Sequence, residues 1–457
     1  MTMVDHRRGA GTGWTQAAAN LGFALVQLDV TVVNVALPRL GSDLGAGISG
    51  LQWIVDGYAL VFSVMLLVGG FLGDRFGARR TYLAGVGLFA LASALCGLAP
   101  GVVSLVAARA LQGVGAAVML PCSLSLINHA TEHDAPLRLR AVGLWTAAGS
   151  IGLASGPVLG GLLLAGGSWR WIFLVNLPVC LLAGLFALRA PETPREEEGQ
   201  GFDPWGQVLA VLALAGLVGA VIEAHPLGFT HPVVIGLLAL AAVAGPLFVW
   251  VEGRTAAPVL PLSLFRSSTF STAVAYGTVA NVTFYGTVFV LSLYFQRVRG
   301  YSGPATGFAY LPMMATFIVV NLVNARLVAR FGVRTCMVAG FLVDAFGFAL
   351  LLTLDAGSPY WLALPAFVLI PAGMGTGIPA MIGAVLASVD RSRSGVAAAV
   401  TNAARQAGGA VGVAVFGTLA GPDLVGGLHV GAVLSAVLLV AMALAAWALV
   451  PGRVAAR

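Results

Sequence analysis

The chain has 457 residues, of which 59% are hydrophobic and only 9% charged, and its mean hydropathy is +0.94. A water-soluble domain carries about 25% charged residues, so no aqueous fold could cover this much apolar surface and the solvent has to be lipid. The formal charge of +6 is not a nucleic-acid signal, because no basic cluster sits on a soluble domain.

A helix needs roughly 20 apolar residues to cross the hydrocarbon core. Hydropathy and breaker residues predict fourteen such spans, near 14–37, 51–72, 81–99, 102–128, 138–165, 171–190, 205–223, 231–250, 268–295, 304–325, 335–353, 360–383, 395–419 and 429–450. Runs such as 209–221 and 433–450 lack the alternation of a barrel strand, whereas helices satisfy their own backbone groups in lipid. The expected class is an all-α membrane protein with fourteen transmembrane helices.

Residues 191–204 (PETPREEEGQGFDP) form the longest polar interruption and read as a solvated linker. Residues 257–266 (APVLPLSLFR) read as an interfacial segment. The expected division is 1–190 as an N-terminal six-helix bundle, 191–266 as linker, two inserted helices and interfacial segment, and 267–457 as a C-terminal six-helix bundle. An internal echo supports it. The loop 69–81 (GGFLGDRFGARRT) aligns with 323–335 (VNARLVARFGVRT), matching Phe76-Gly77 to Phe331-Gly332, Arg75 to Arg330 and Arg79 to Arg334. The second copy has Ala329 in place of Asp74. Parallel halves of this kind occur in secondary transporters.

All 24 basic residues are arginines. With both termini cytoplasmic, eighteen fall on the cytoplasmic side, among them Arg195, Arg391, Arg393, Arg453 and Arg457. Only Arg39, Arg170, Arg297 and Arg299 fall outside, while Arg109 and Arg405 lie within spans. This asymmetry sets the orientation. Cys96, Cys122, Cys180 and Cys336 all sit in apolar segments and read as small core residues.

Asp29, Asp56, Arg109, Glu223, Asp344 and Arg405 lie inside or near the ends of spans. A charge at the bilayer centre costs several kcal/mol, so such residues face a cavity or one another; a purely structural ion pair is the alternative. Asp29 is nine residues before the outer end of span 1 and Arg109 eight residues into span 4. Both then sit roughly 12–13 Å below the outer surface, which permits an encounter. Bringing an arginine or another cation toward such a carboxylate, or taking it away, changes its proton occupancy. That is the physical requirement for proton coupling. Asp56 is a candidate second carboxylate near the outer mouth, and Asp344 and Arg405 are possible secondary charge sites.

Span 5 carries Gly149, Gly152, Gly156 and Gly160 at helical spacing, with Pro157 and Gly161, in the run 149–163 (GSIGLASGPVLGGLL). That is a bare face for close helix approach, and Pro157 removes a backbone donor. Gly408, Gly409, Gly412 and Gly417 make a weaker version in span 13. Asp74 lies at a helix end among Arg75, Arg79 and Arg80; it can pair with those arginines or dock on the positive N-terminus of span 13 near Ser394. Tyr276, Asn281, Phe284, Tyr285 and Met313 are candidate cavity linings that serve equally well as bundle packing. No HExxH, nucleophile–base constellation or phosphate loop is present. His129 and His133 flank Glu132 in a loop and read as solvated, so no metal site is expected.

These residues carry a family resemblance over nearly the whole chain. Residues 70–80 (GFLGDRFGARR) resemble the loop 2–3 signature of the major facilitator superfamily, with Gly70, Asp74, Arg75, Gly77, Arg79 and Arg80 as its latch. Residues 109–115 (RALQGVG) resemble its span 4 motif, which implicates Arg109 in proton transfer. Gly152, Gly156, Pro157, Gly160 and Gly161 are similar to its span 5 antiporter motif. Residues 28–38 (LDVTVVNVALP), 169–178 (WRWIFLVNLP) and Gln52-Trp53 with Tyr58 resemble the 14-span drug:proton antiporter family (EmrB/QacA type). The resemblance implies a monomeric, multi-pass exporter of small organic molecules in the cell membrane. It would exchange them for protons, driven by the proton gradient without a cofactor, and would not be an enzyme. An importer of a small metabolite and a non-transporting membrane sensor are the alternatives.

Overall fold

The computed structural model describes residues 2–132, 134–193, 203–255, 258, 260–389, 394–421 and 423–451. Arg195, Arg391, Arg393, Arg453, Arg457 and His133 lie outside them, as does most of the polar linker. The ordered elements are helical: α1 (Thr2–Leu44), α2 (Ile48–Phe76), α3 (Ala78–Leu98), α4 (Val102–Ala130), α5 (Ala135–Ala165), α6 (Trp171–Leu174), α7 (Asn176–Ala187), α8 (Pro204–Leu227), α9 (Pro232–Glu252), α10 (Ser268–Leu293), α11 (Gly303–Ala309), α12 (Leu311–Phe331), α13 (Val333–Leu350), α14 (Leu364–Ala387), α15 (Ser394–Ala420) and α16 (Leu424–Leu449).

Among the described residues, twelve segments are long and apolar enough to cross a bilayer, two fewer than the fourteen expected. The sixth predicted span, Trp171–Ala187, is a shorter apolar stretch divided at Val175 into α6 and α7. The thirteenth, α15, is 27 residues long, but Thr401, Asn402, Arg405 and Gln406 dilute its apolar character.

Helix starts follow local chemistry. Asp134, Asp203, Ser267, Ser302 and Asp423 each accept a hydrogen bond from a backbone N–H in the first turn of the helix they precede, meeting donors that no helical carbonyl reaches. The loop echo reappears in backbone geometry. Gly77 ends α2 at φ 92° and Gly332 ends α12 at φ 81°, a region costly for any residue with a Cβ. Each carbonyl then receives the first bond of the next helix, from Thr81 and Cys336, at 3.1 Å.

Two sets of helices pack alike. In the first, α1 runs along α5, α2 and α3 run along α4, and α7 covers α1 and α3. In the second, α10 runs along α15, α13 lies between α14 and α16, and α12 rests on α14. The glycine face of span 5 meets α1: a Cβ at Gly152 would collide with the Ala24 carbonyl, and one at Gly156 with Thr31 Oγ1. Thr31 Oγ1 also donates to Leu153 O at 3.0 Å, which ties the two helices together. The second half repeats this contact, because a Cβ at Gly412 of α15 would collide with the Val282 carbonyl of α10. The weak glycine pattern of span 13 is thus the structural counterpart of the strong one.

The two sets meet along two seams. On one, Gln52 Nε2 of α2 donates to Ala414 O of α15 at 2.7 Å. On the other, Gly161 of α5 abuts Gly303 and Pro304 of α11, and Gly307 abuts Pro157. Ser292 donates to Asn34 O and Gln296 Nε2 to Val35 O, binding α10 and the turn that follows it to α1. The inserted helix α8 grips both sets. Trp53 Nε1 of α2 donates to Glu223 Oε1 at 2.8 Å, Gln207 donates to Val64 O, and Thr418 Oγ1 of α15 donates to Val221 O at 3.0 Å. Its neighbour α9 packs mainly on α8, and only 11% of its apolar window is buried within the protein.

Replacing Gly156 with Val should push α1 from α5 at the cost of overpacking, about 1–3 kcal/mol. Thermal unfolding of the purified variant in detergent should report a lower midpoint; an unchanged midpoint would show that the glycine face does not set this contact.

Candidate functional site

The charged pair lies inside the first helix set. Arg109 Nη1 of α4 donates to Asp29 Oδ2 of α1, and both side chains are almost fully removed from surface, at 1% and 0% relative exposure. Around them the bonding is nearly complete. Asp29 Oδ1 accepts from Gln112 Nε2 at 2.9 Å and from Asn176 Nδ2 of α7 at 3.0 Å. Arg109 Nε donates to Ile54 O of α2 at 3.1 Å, and its Nη1 also reaches Gln112 Oε1 at 2.8 Å. Ser93 Oγ of α3 accepts from Gln112 at 2.9 Å and from Asn176 at 3.3 Å. Five helices therefore converge on one pair of opposite charges. A lone charge here would face a penalty of several kcal/mol, and the partners offset it.

The sequence reading reached Asp29 and Arg109 but not their amide donors. The signal was present: Gln112 stands three residues after Arg109 on the same helical face, and Asn176 is a polar residue within an apolar stretch.

A cavity of about 30 Å³ lies between the helix sets. It is lined by Val30, Asn34, Val55, Tyr58, Ala59, Phe62, Tyr285, Gln406, Gly409 and Val413. Such a space holds a water or two, far below the roughly 300 Å³ of a small-molecule pocket. Its walls are apolar with a few polar atoms. Asn34 Oδ1 and the Tyr58 hydroxyl are buried and have no hydrogen-bond partner among the described residues. Tyr58 also separates the cavity from the ion pair, since the Arg109 guanidinium lies 4.3 Å from its ring centroid.

The remaining predicted residues are distributed differently. Asp56 does not join the pair. It is one turn from Gln52, which bonds α15, and one turn from Leu60, which packs with Val218, Ile222, Ala410 and Ala414. It therefore occupies the α2–α8–α15 seam, where both carboxylate oxygens are buried and unpartnered among the described residues. Asp344 is buried in α13 against Gly373 of α14 and is not an ion-pair partner of Arg405. Of the five candidate linings only Tyr285 reaches the cavity. Tyr276 is instead stacked on Phe341 and bonded to Met337 O, Phe284 packs on Phe317, and Met313 is core. Their helix faces turn into the second bundle. Asn281 accepts from Arg405 Nε at 3.5 Å.

The loop between α2 and α3 holds an unexpected partner. Arg79 and Arg80 pair with Glu192, at 3.3 and 3.5 Å, rather than with Asp74. Glu192 Oε1 accepts from Arg79 N at 3.1 Å and Thr193 Oγ1 from Ala78 N at 2.7 Å. The start of the linker thus caps α3. Gly77 leaves room for it, as a Cβ there would lie 2.7 Å from Glu192 Oε1. Arg75 rests near the rings of Phe71 and Phe76, and Gly70 faces Pro121 without crowding. Asp74 is exposed at the end of α2, and the residues just before Ser394 lie outside the described ones. His129 pairs with Glu132 at 3.7 Å.

The pattern of the family described as Major Facilitator Superfamily matches residues 19–413. Multidrug resistance protein Stp of Mycobacterium tuberculosis is 38% identical over 412 residues, covering 89% of this chain and 75% of that protein. Methylenomycin A resistance protein of Streptomyces coelicolor is 37% identical over 413 residues, covering 90% and 86%. Among solved structures, a crystal structure of a POT family transporter superposes with a TM-score of 0.71 at 13% identity, covering 95% of both chains. That likeness concerns the fold alone.

Replacing Gln112 with Leu removes partners from Asp29, Arg109 and Ser93 at once. Each buried group left unsatisfied costs about 1–3 kcal/mol, so the melting temperature should fall by more than it does for Gln16→Leu, a half-buried amide elsewhere on α1. Equal falls would show that the network does not depend on this side chain.

Proposed function

The chain belongs to the Major Facilitator Superfamily, and from that premise we propose that it is a secondary active exporter of drugs, antibiotics or other small organic amphiphiles, exchanging them for protons. The observation that carries this reading is the Asp29–Arg109 pair, sealed in the first bundle and parted from the central cavity by the ring of Tyr58. When the cavity faces the proton-rich side, water reaches Asp29 past that ring. Protonation cancels the carboxylate charge and frees Arg109 to rotate onto its other partners, Gln112 and the Ile54 carbonyl. Loss of this attraction shifts the balance between the two arrangements of the bundles. The apolar walls, with the unpartnered atoms of Asn34 and Tyr58, suit an amphiphile with a few hydrogen-bonding groups. The resistance relatives support export as the direction.

The same reading assigns the chain to the 14-span drug:proton antiporter family (EmrB/QacA type), with α6–α7 and α15 crossing alongside the twelve more apolar segments. It puts both termini and the arginine-rich ends of the helices in the cytoplasm, takes the proton gradient as the energy source with no cofactor, and treats the chain as a monomer. Asp56, in the seam that must part, acts as a second proton carrier. Asp74 with its neighbouring arginines acts as the cytoplasmic latch, and the glycine face of α5 with Pro157 resists leak.

In everted vesicles, Asp29→Asn should abolish proton-driven export while the protein stays folded, as size-exclusion profiles would verify. Undiminished export would remove Asp29 from the mechanism. Asp74→Asn should slow export without altering the fold, and a fully active variant would dismiss the latch.

A further inference from the structure

The second bundle contains a cation that the proton mechanism does not use. Arg405 lies in α15 and, unlike Arg109, has no carboxylate within ion-pair distance among the described residues. Its one hydrogen bond to protein is Nε to Asn281 Oδ1, at a long 3.5 Å. The two terminal nitrogens have no partner, yet they are not sealed within the protein as the oxygens of Asp56 are. The side chain as a whole is partly buried. An arginine in a membrane helix is held there by a counter-charge or by a polar cavity.

The surroundings are those of the central cavity. Gln406, Gly409 and Val413, on the same helix, line it, and so does Tyr285, whose ring packs on Gly409. The aliphatic part of Arg405 lies along Gly277 of α10, where a Cβ would sit 2.9 Å from its Cδ, and Met381 of α14 closes the other side. This fixes the stem while the guanidinium stays free. Beside it, Asn281 Nδ2 is fully buried and has no acceptor. Each residue of this contact therefore keeps a donor group with no acceptor among the described residues. Neither spans-embedded acid nearby supplies one: Asp29 is committed to Arg109, and Asp344 lies between α13 and α14.

We propose that Arg405, with Asn281 Nδ2, binds the planar oxyanion of an exported organic acid, a carboxylate above all. A guanidinium matches a carboxylate through two parallel hydrogen bonds, and a buried amide donor adds a third contact. The site rests on the export reading for its physiological solute, but its chemistry is testable apart from transport.

The experiment uses the purified protein in lipid nanodiscs and two fluorescent acids, pyrenebutyrate and dansylglycine, each against its primary carboxamide. Wild-type protein should bind the acids at least about tenfold more tightly than the amides, the factor expected of hydrogen bonds to a charged group. Arg405→Gln should erase that preference while leaving amide binding and the melting temperature nearly unchanged. Arg405→Lys should restore part of it. Equal binding of acid and amide by the wild type, or a preference that survives Arg405→Gln, overturns the site. Everted vesicles given the acids and the amides on their outer, cytoplasmic face report separately on export. If they move no amide and no acid while the binding preference holds, the export reading fails and the anion site stands; if they move the amides but the preference is absent, the converse applies.

Discussion

A charge stripped of water in hydrocarbon is costly alone, and in the first bundle the consequence is a neutral pair. Arg109 and Asp29 hold α1 to α4. Their remaining valences then recruit Gln112, Ser93, Asn176 and the Ile54 carbonyl, so that α2, α3 and α7 are drawn to the same point. Apolar side chains give no such direction, because lipid tails compete for them equally well. The pair therefore orients the first bundle, and it does so at the edge of the cavity, with one tyrosine ring between structure and chemistry. A bond network that is both the keystone of a bundle and the neighbour of the chamber can report the state of one to the other.

The two halves share a skeleton and differ in charge. Gly152 on Ala24 and Gly412 on Val282 are the same helix contact built twice, and Gly77 and Gly332 turn the chain alike. Yet the first half closes its arginine with an aspartate, while the second leaves Arg405 beside an asparagine. The loop copy likewise has lost its acid, with Ala329 opposite Asp74. The two halves thus differ in electrostatics: one carries a balanced pair and the other a cation without a nearby carboxylate among the described residues. The inserted helix α8, bonded to α2 through Trp53 and Gln207 and to α15 through Thr418, restrains only one of the two seams.

Much of this was legible in the chain because the bilayer imposes a long, unambiguous signal. Helix positions followed from apolar length, and the Asp29–Arg109 encounter from counting residues along two antiparallel helices. Where length and hydropathy were marginal the reading failed: Trp171–Ala187 is short and broken, and α15 is diluted by its own polar face. Rotation about a helix axis was the harder problem. Tyr276 and Phe284 lie on α10, a helix buried on nearly every side, so nothing in their spacing separates the cavity face from the bundle face; Met313 sits on the buried face of α12. Asp56 shows the same limit: it is one position from Val55, which lines the cavity, yet it faces the adjacent seam. Glu192 was hidden because its partners lie more than a hundred residues earlier, and a linker rich in Pro and Glu reads as solvated.

The smallness of the chamber has a consequence for what it can accept. A space of about 30 Å³ has no fixed outline for a visiting molecule to match; a guest has to wedge the walls apart and gives up part of its affinity in doing so. Discrimination then turns on how readily the seams yield and on one or two anchoring polar contacts, rather than on silhouette.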